Sequence, residues 1–196
     1  MKKFGFKKLF KLTMFCLVFA MTLSMLSCGS EQLLSGMHYA EMEIENYGTI
    51  KLELNADEAP ITVTNFVNLA KSGFYDGLSI IRVDTDFVIQ GGDGGTERPA
   101  KNIKGEFAAN GVENNISHVK GTISMARGDD MNSASSQFFI MSADFTGLDG
   151  MYAGFGKVIE GMEVVDKINA EVKSEYDMGF LPEDAQPKIV SVKIVE

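Results

Sequence analysis

Few side chains in this 196-residue chain are equipped for nucleophilic or metal chemistry, and their spacing argues against both. The thiols are Cys16 and Cys28, and the imidazoles are His38 and His118. Cys28 and the two histidines do not stand at the separations that a tetrahedral metal site uses. The acids Asp129 and Asp130 lack the ligand pattern of a calcium loop. No metal site is expected.

Charge removes another class. The whole chain carries −9, but its first 27 residues hold Lys2, Lys3, Lys7, Lys8 and Lys11 and no acid. The remainder has thirteen bases against 27 acids, a net charge of −14. Nucleic-acid affinity rests on cationic contacts to phosphate, so nucleic acid is excluded as a partner. The acidity serves solubility.

Residues 1–27 read as a signal peptide: a lysine-rich start, then an apolar run from Leu12 to Leu26 broken only by Thr13, Thr22 and Ser24. The run is shorter than the ~18–20 residues of a spanning helix. An uncleaved N-terminal membrane helix is the alternative. The segment Ser24-Met25-Leu26-Ser27-Cys28-Gly29 resembles the lipobox of bacterial lipoproteins, although Leu26 stands where a small residue is usual. That resemblance implies cleavage before Cys28 and diacylglycerol on its thiol. The other reading of Cys28 is a free reactive thiol. Cleavage would leave Cys28 alone, with no partner for a disulfide. Two or more acyl chains hold a protein stably at a membrane, where one does not. The expected organisation is a leader over 1–27, a lipidated Cys28 with a tether over 28–36, and one domain over 37–196. The expected address is the outer face of the cytoplasmic membrane, or the cell envelope, through lipidated Cys28.

The domain must then supply a scaffold. Met42 and Ile44 alternate with acids, and Ile50, Leu52 and Leu54 alternate with Lys51 and Glu53, around Asn46-Tyr47-Gly48. This period of two predicts a hairpin with one wet face. Asp57-Glu58-Ala59-Pro60 opens a helix whose stripe is Val63, Phe66, Val67 and Ala70, with Gly73 as its stop. Strands are predicted at 79–83, 87–90, 121–126, 137–141, 153–159 and 189–195, and a second helix at 161–170. Polar connections fill 91–104 and 171–186. Many short strands with two helices suggest a closed antiparallel barrel with helices over its open ends.

Four segments carry the reading further. They are PITVTNFVNLAKSGFYDG from Pro60, RVDTDFVIQGGD from Arg82, GTISMAR from Gly121 and SQFFIMSADFTGLDGMYAGFGKVIEG from Ser136. In this order and spacing they resemble the cyclophilins, especially bacterial ones, over about residues 40–195. The resemblance implies a mainly β fold: a closed eight-stranded antiparallel barrel capped by two α-helices. It also implies peptidyl-prolyl cis/trans isomerase activity on proline-containing segments of unfolded proteins. With the leader, exported proteins are the expected clients, and a monomer is expected.

Such a reaction sets its own requirements. The X–Pro bond isomerises in tens to hundreds of seconds against a barrier of ~18–20 kcal/mol. Amide resonance is lost as the C–N bond twists, and the prolyl nitrogen becomes a better acceptor. An apolar slot for the ring, a fixed cationic donor and groups that hold the flanking backbone then suffice. No covalent bond is made or broken, so no cofactor is expected. By resemblance Arg82 is the donor, and its rigid fork is a feature lysine lacks. Phe87, Val88 and Phe139 are the proline pocket with Leu148 beside them. Gln90 binds substrate backbone and supports Arg82. Ala126 and Arg127 are the backbone-binding edge, where the family often has asparagine in place of Arg127, so a main-chain contact is expected there. Gln137 is a further polar group near the groove, and Tyr152 falls where relatives carry histidine or tyrosine. His118 matches a family histidine outside the pocket, and His38 has no counterpart.

Three departures bear on rate. Ile80 and Ile81 replace a Phe-His pair, which removes a polar neighbour of Arg82 and predicts a looser donor and slower turnover. Gly147 replaces a bulky residue, which predicts a missing groove wall and weak binding of cyclosporin. Ser135 replaces a glycine, and Asp84-Thr85-Asp86 replaces a more apolar turn. A binding module of the same fold with little catalysis is the alternative. A lipocalin-like small-molecule barrel fits less well, given the helix between the second and third strands.

Overall fold

The computed structural model describes residues 32–174 and 176–195. The leader, Cys28 and residues 29–31 lie outside the described residues. Among those described, no helix is long and apolar enough to cross a membrane.

The chain order is β1 (Met37–Ile44), β2 (Gly48–Asn55), α1 (Pro60–Lys71), β3 (Ile80–Asp84), β4 (Val88–Gly91), β5 (Thr122–Met125), β6 (Phe138–Met141), β7 (Ala153–Glu160), α2 (Met162–Glu171) and β8 (Ile189–Val195). The eight strands form one antiparallel sheet in the order β3-β4-β6-β5-β7-β2-β1-β8. The sheet curls until its edge strands meet, but the seam is slight. It consists of a single bridge, Ser79 to Lys188, flanked by the backbone bonds Ile80 N–H to Pro187 O and Ile189 N–H to Leu78 O. The barrel is therefore nearly closed rather than laddered all round.

Alternation explains which residues go inward. Ala40, Met42 and Ile44 of β1 and Ile50, Leu52 and Leu54 of β2 are buried, while their neighbours are wetter. The α1 stripe of Val63, Phe66, Val67 and Ala70 closes one end of the barrel, where Phe66 packs on Tyr75, Phe138 and Phe155.

One expectation needs correction. The acids before Pro60 are outside the first turn of α1. The start of α1 is instead bound by the buried carboxylate of Glu106, which accepts Ile61 N–H at 2.9 Å and Thr62 N–H at 2.7 Å. A carboxylate there satisfies orphan donors and the helix dipole together. The end of the tether also docks on the domain: Leu34 N–H donates to Thr64 Oγ1, and Gly36 N–H donates to Asp57.

Strand β6 joins the barrel core to a second apolar face. Its side chains are buried on both sides of the sheet. Phe138 and Ile140 point into the barrel core, whereas Phe139 and Met141 join Val88 in a separate apolar cluster outside it. One strand thus feeds two cores, because successive side chains leave on opposite faces.

Candidate functional site

The second cluster forms the floor of a groove of about 260 Å³. Its lining is Arg82, Phe87, Val88, Gln90, Ala126, Arg127, Phe139, Leu148 and Tyr152, together with Met178 and Phe180. A wider cleft of about 450 Å³ between α1 and β8 gathers Lys71, Asp76 and Lys193 but no aromatic ring. Convergent polar groups over an apolar floor are found only in the first of the two. Among the expected residues only Gln137 is absent from the lining. It sits one step behind, where its Oε1 accepts Gln90 Nε2–H at 3.0 Å.

Antiparallel register places the polar end of the groove. Arg82 on β3 pairs with Gln90 on β4, and Gln90 pairs with Phe139 on β6. Donor, amide and ring therefore stand side by side across three strands. The Arg82 guanidinium donates Nη1–H to Gln90 Oε1 at 3.5 Å, which is long. It donates Nη2–H to Asp84 Oδ2 at 2.7 Å and Nε–H to Met178 O at 2.5 Å. The rings of Phe87 and Phe180 lie 5.5 and 5.8 Å from its carbon.

This corrects the looser donor expected from Ile80 and Ile81. The acid two residues along the strand, in the turn that departs from the family, supplies the anchor. A charge-assisted pair of this kind is short and directional. The Arg82 side chain keeps 15% exposure and Asp84 keeps 33%, so the bond's role here is aim more than stability.

Met178 and Phe180 were not legible in the sequence, which reads 171–186 only as a polar connection. The segment folds back on β3 through the bridge Arg82–Phe180 and the bond Leu181 N–H to Ile81 O. Gly179 allows the approach, with φ +80° and a position at which a Cβ would sit 2.5 Å from Val83 O. The available signal was Met-Gly-Phe, two exposed apolar residues around a glycine.

The opposite end holds Arg127. Its guanidinium lies 4.8 Å from the Tyr152 ring and 5.1 Å from the Phe107 ring. It donates twice to Met151 O, at 3.2 and 3.1 Å, and once to Gly128 O at 2.8 Å. The side chain, and not only the expected main chain, faces the groove. Gly147 is not part of the lining: a Cβ there would meet the Phe145 ring at 3.1 Å, and Phe145 itself packs on Phe87 at 5.2 Å. Ser135 is tolerated because its φ is not positive.

Behind Phe139 runs a hydrogen-bonded relay, buried at His118 and Ser124 and open to solvent at Asp149. The His118 ring stacks on Phe139 with centroids 6.0 Å apart. The Asp149 carboxylate accepts from His118 Nδ1 at 2.9 Å, from His118 N–H and from Ser117 Oγ. His118 Nε2 then accepts from Ser124 Oγ at 3.0 Å. The order Ser-His-Asp is that of a hydrolase, but Ser124 and His118 have no exposed surface, so no substrate carbonyl reaches the hydroxyl. The relay fixes the floor. Burial pushes the His118 imidazole below its ordinary value, against the opposing pull of Asp149. Burial works against the charge of Asp149, but the bonds from Ser117 and His118 prevail and hold its carboxyl below the usual range. His38 is half-buried on β1 and bonds to Ser35 O, far from this arrangement in sequence and role.

The family model for cyclophilin type peptidyl-prolyl cis-trans isomerase/CLD matches residues 39–195. A peptidyl-prolyl cis-trans isomerase of Acinetobacter baylyi is 41% identical over 154 residues, covering 76% of this chain and 81% of the relative. The crystal structure of a Cryptosporidium parvum cyclophilin type peptidyl-prolyl cis-trans isomerase aligns with TM-score 0.70 at 26% identity, over 82% of this chain and 98% of that one. A second structure of that enzyme, in the presence of the dipeptide Ala-Pro, aligns with TM-score 0.69 at 26% identity, over 81% and 99% of the two chains.

Proposed function

The chain belongs to the cyclophilin-type peptidyl-prolyl cis-trans isomerases, and from that premise we propose how its groove turns an X–Pro bond and where it works. The chain is an isomerase, and its family binds proline-containing peptides.

In our reading the proline ring enters the slot formed by Phe87, Val88, Phe139 and Leu148. Arg82 stands at the rim with its unspent N–H groups directed at the prolyl amide. As the bond twists, resonance is lost and the nitrogen lone pair localises, so the bond from Arg82 strengthens on the way to the transition state. That differential is what lowers the barrier. Gln90, held by Gln137, binds the neighbouring carbonyl or N–H. Ala126 and Arg127 hold the flanking chain, and Tyr152 donates to a substrate carbonyl. The observation that carries this reading is the placement of Arg82, Gln90 and Phe139 side by side on three paired strands. Isomerisation of an X–Pro test peptide tests it. Arg82→Ala should lower the rate at least ~100-fold, the scale of losing one preorganised donor, while the unfolding midpoint stays near wild type. A variant as active as wild type sinks the reading. If both proteins are inert but still bind the peptide, the chain is a binding module.

The enzyme's clients are exported proteins, and it works as a monomer held at the outer face of the cytoplasmic membrane by lipid on Cys28. The lysine-rich start, the short apolar run and the place of Cys28 behind it support this. Intact mass of the mature protein tests cleavage and acylation together. A mature chain that begins at Met1, or an unmodified Cys28, contradicts the anchor.

A further inference from the structure

The groove carries two guanidinium groups, and they differ in what compensates them. Arg82 is paired with Asp84 at 2.7 Å. Among the described residues no carboxylate lies within salt-bridge distance of Arg127. Its partners are the neutral oxygens of Met151 and Gly128 and the faces of Phe107 and Tyr152. Those bonds use three of its five N–H groups and leave two unspent. The rings and the carbonyls fix the plane of the fork, so little side-chain freedom is left to lose when an anion arrives.

Resting on the reading that the groove binds X–Pro peptides, we propose that the Arg127 side chain is a specificity determinant. It selects substrates that carry an aspartate or glutamate on the stretch passing the Ala126–Arg127 edge. The chemistry is a carboxylate meeting a half-buried, prepositioned fork that lacks an anion of its own. The domain's overall negative charge opposes acidic substrates at long range. Beyond a Debye length of ~8 Å at physiological salt that repulsion is largely screened, whereas the half-buried contact pair is screened much less.

The test is a set of Ala-Pro peptides in which Glu, Gln or Lys is placed in turn at each of the three positions before the alanine and the three after the proline. The kcat/KM of each is measured with the full-length enzyme. At one position the order should be Glu above Gln above Lys, with a Glu to Gln ratio of ~3–5, the scale of a partly solvated pair. The ratio should shrink as salt is raised. It should approach one in Arg127→Gln and persist in part in Arg127→Lys. Ratios are taken within each protein, so a general loss of active enzyme cancels. Equal rates for Glu, Gln and Lys at every position overturn the proposal, as does a preference that survives Arg127→Gln. A wild type inert even on the Gln peptides overturns the isomerase reading itself, and this inference with it.

Discussion

The two ends of the groove place the same side chain in opposite settings. At one end Arg82 is drawn in by an acid, a glutamine and a backbone carbonyl, all of which fix where it points. At the other end Arg127 is stacked on two rings and solvated by carbonyls, with no carboxylate among the described residues to pair its charge. The first arrangement suits a group that must meet one atom of a twisting bond, where a small misplacement is costly. The second suits a group that must attract whatever anion a passing chain offers. Residue type alone does not distinguish a donor for chemistry from a reader of sequence. The partners do.

Between the two ends lies a shared floor, and its removal should have the largest effect. Phe139 is 5% exposed and touches both Tyr152 and the His118 ring. Phe139→Ala should cost ~3–5 kcal/mol of stability by denaturant unfolding and erase peptide binding by calorimetry. A stable variant that still binds shows that the slot lies elsewhere. Breaking only the Arg82 end is the next step down. Asp84→Ala should lower kcat ~10–100-fold with little change in peptide affinity, if the acid acts by aiming the arginine. Unchanged kcat means that Met178 O and Gln90 suffice as anchors.

Much of the fold is readable in the sequence, and the exceptions share a cause. The β1–β2 alternation, the α1 stripe and the last strand are local patterns, and a period of two or 3.6 survives in sequence. The motif segments likewise place Arg82, Gln90 and Phe139. What escaped depends on contacts between residues far apart in the chain. Glu106 meets the start of α1 from 44 and 45 residues away, and Met178 meets Arg82 from 96 residues away. Asp84 is near in sequence, but its effect on Arg82 depends on a side-chain direction that no pattern encodes. The slight seam of the barrel is of the same kind, because strand order is not written in any one strand.

Two smaller effects sharpen the contrast. Gly179→Ala places an L side chain at positive φ and against Val83 O. It should cost ~1–2 kcal/mol and lower kcat by less than Asp84→Ala, since it shifts the Met178 carbonyl without removing it. A variant that loses stability but keeps full kcat argues that the segment is only a cover. The last effect is on pH and belongs to the floor. The His118 pKa is lowered in the fold, so below the ordinary value of 6.5 the unfolded chain takes up a proton that the native state resists. Stability should therefore fall as pH drops from about 6.5. The depressed carboxyl of Asp149 adds a second loss below its ordinary 3.8. In His118→Gln the first slope should flatten. A wild-type stability that is level from pH 7 to 5 contradicts a buried neutral imidazole.

The central claim is that a guanidinium held at the rim of an apolar slot favours the twisted imide over the planar one. Exchange NMR on a bound X–Pro peptide measures this directly, because it yields the on-enzyme isomerisation rate and the dissociation constant from one sample. For Arg82→Ala the account predicts an exchange rate reduced at least ~100-fold with a dissociation constant changed only a few-fold. If the rate is kept, or if rate and affinity fall by the same factor, Arg82 binds both states alike and the claim is wrong.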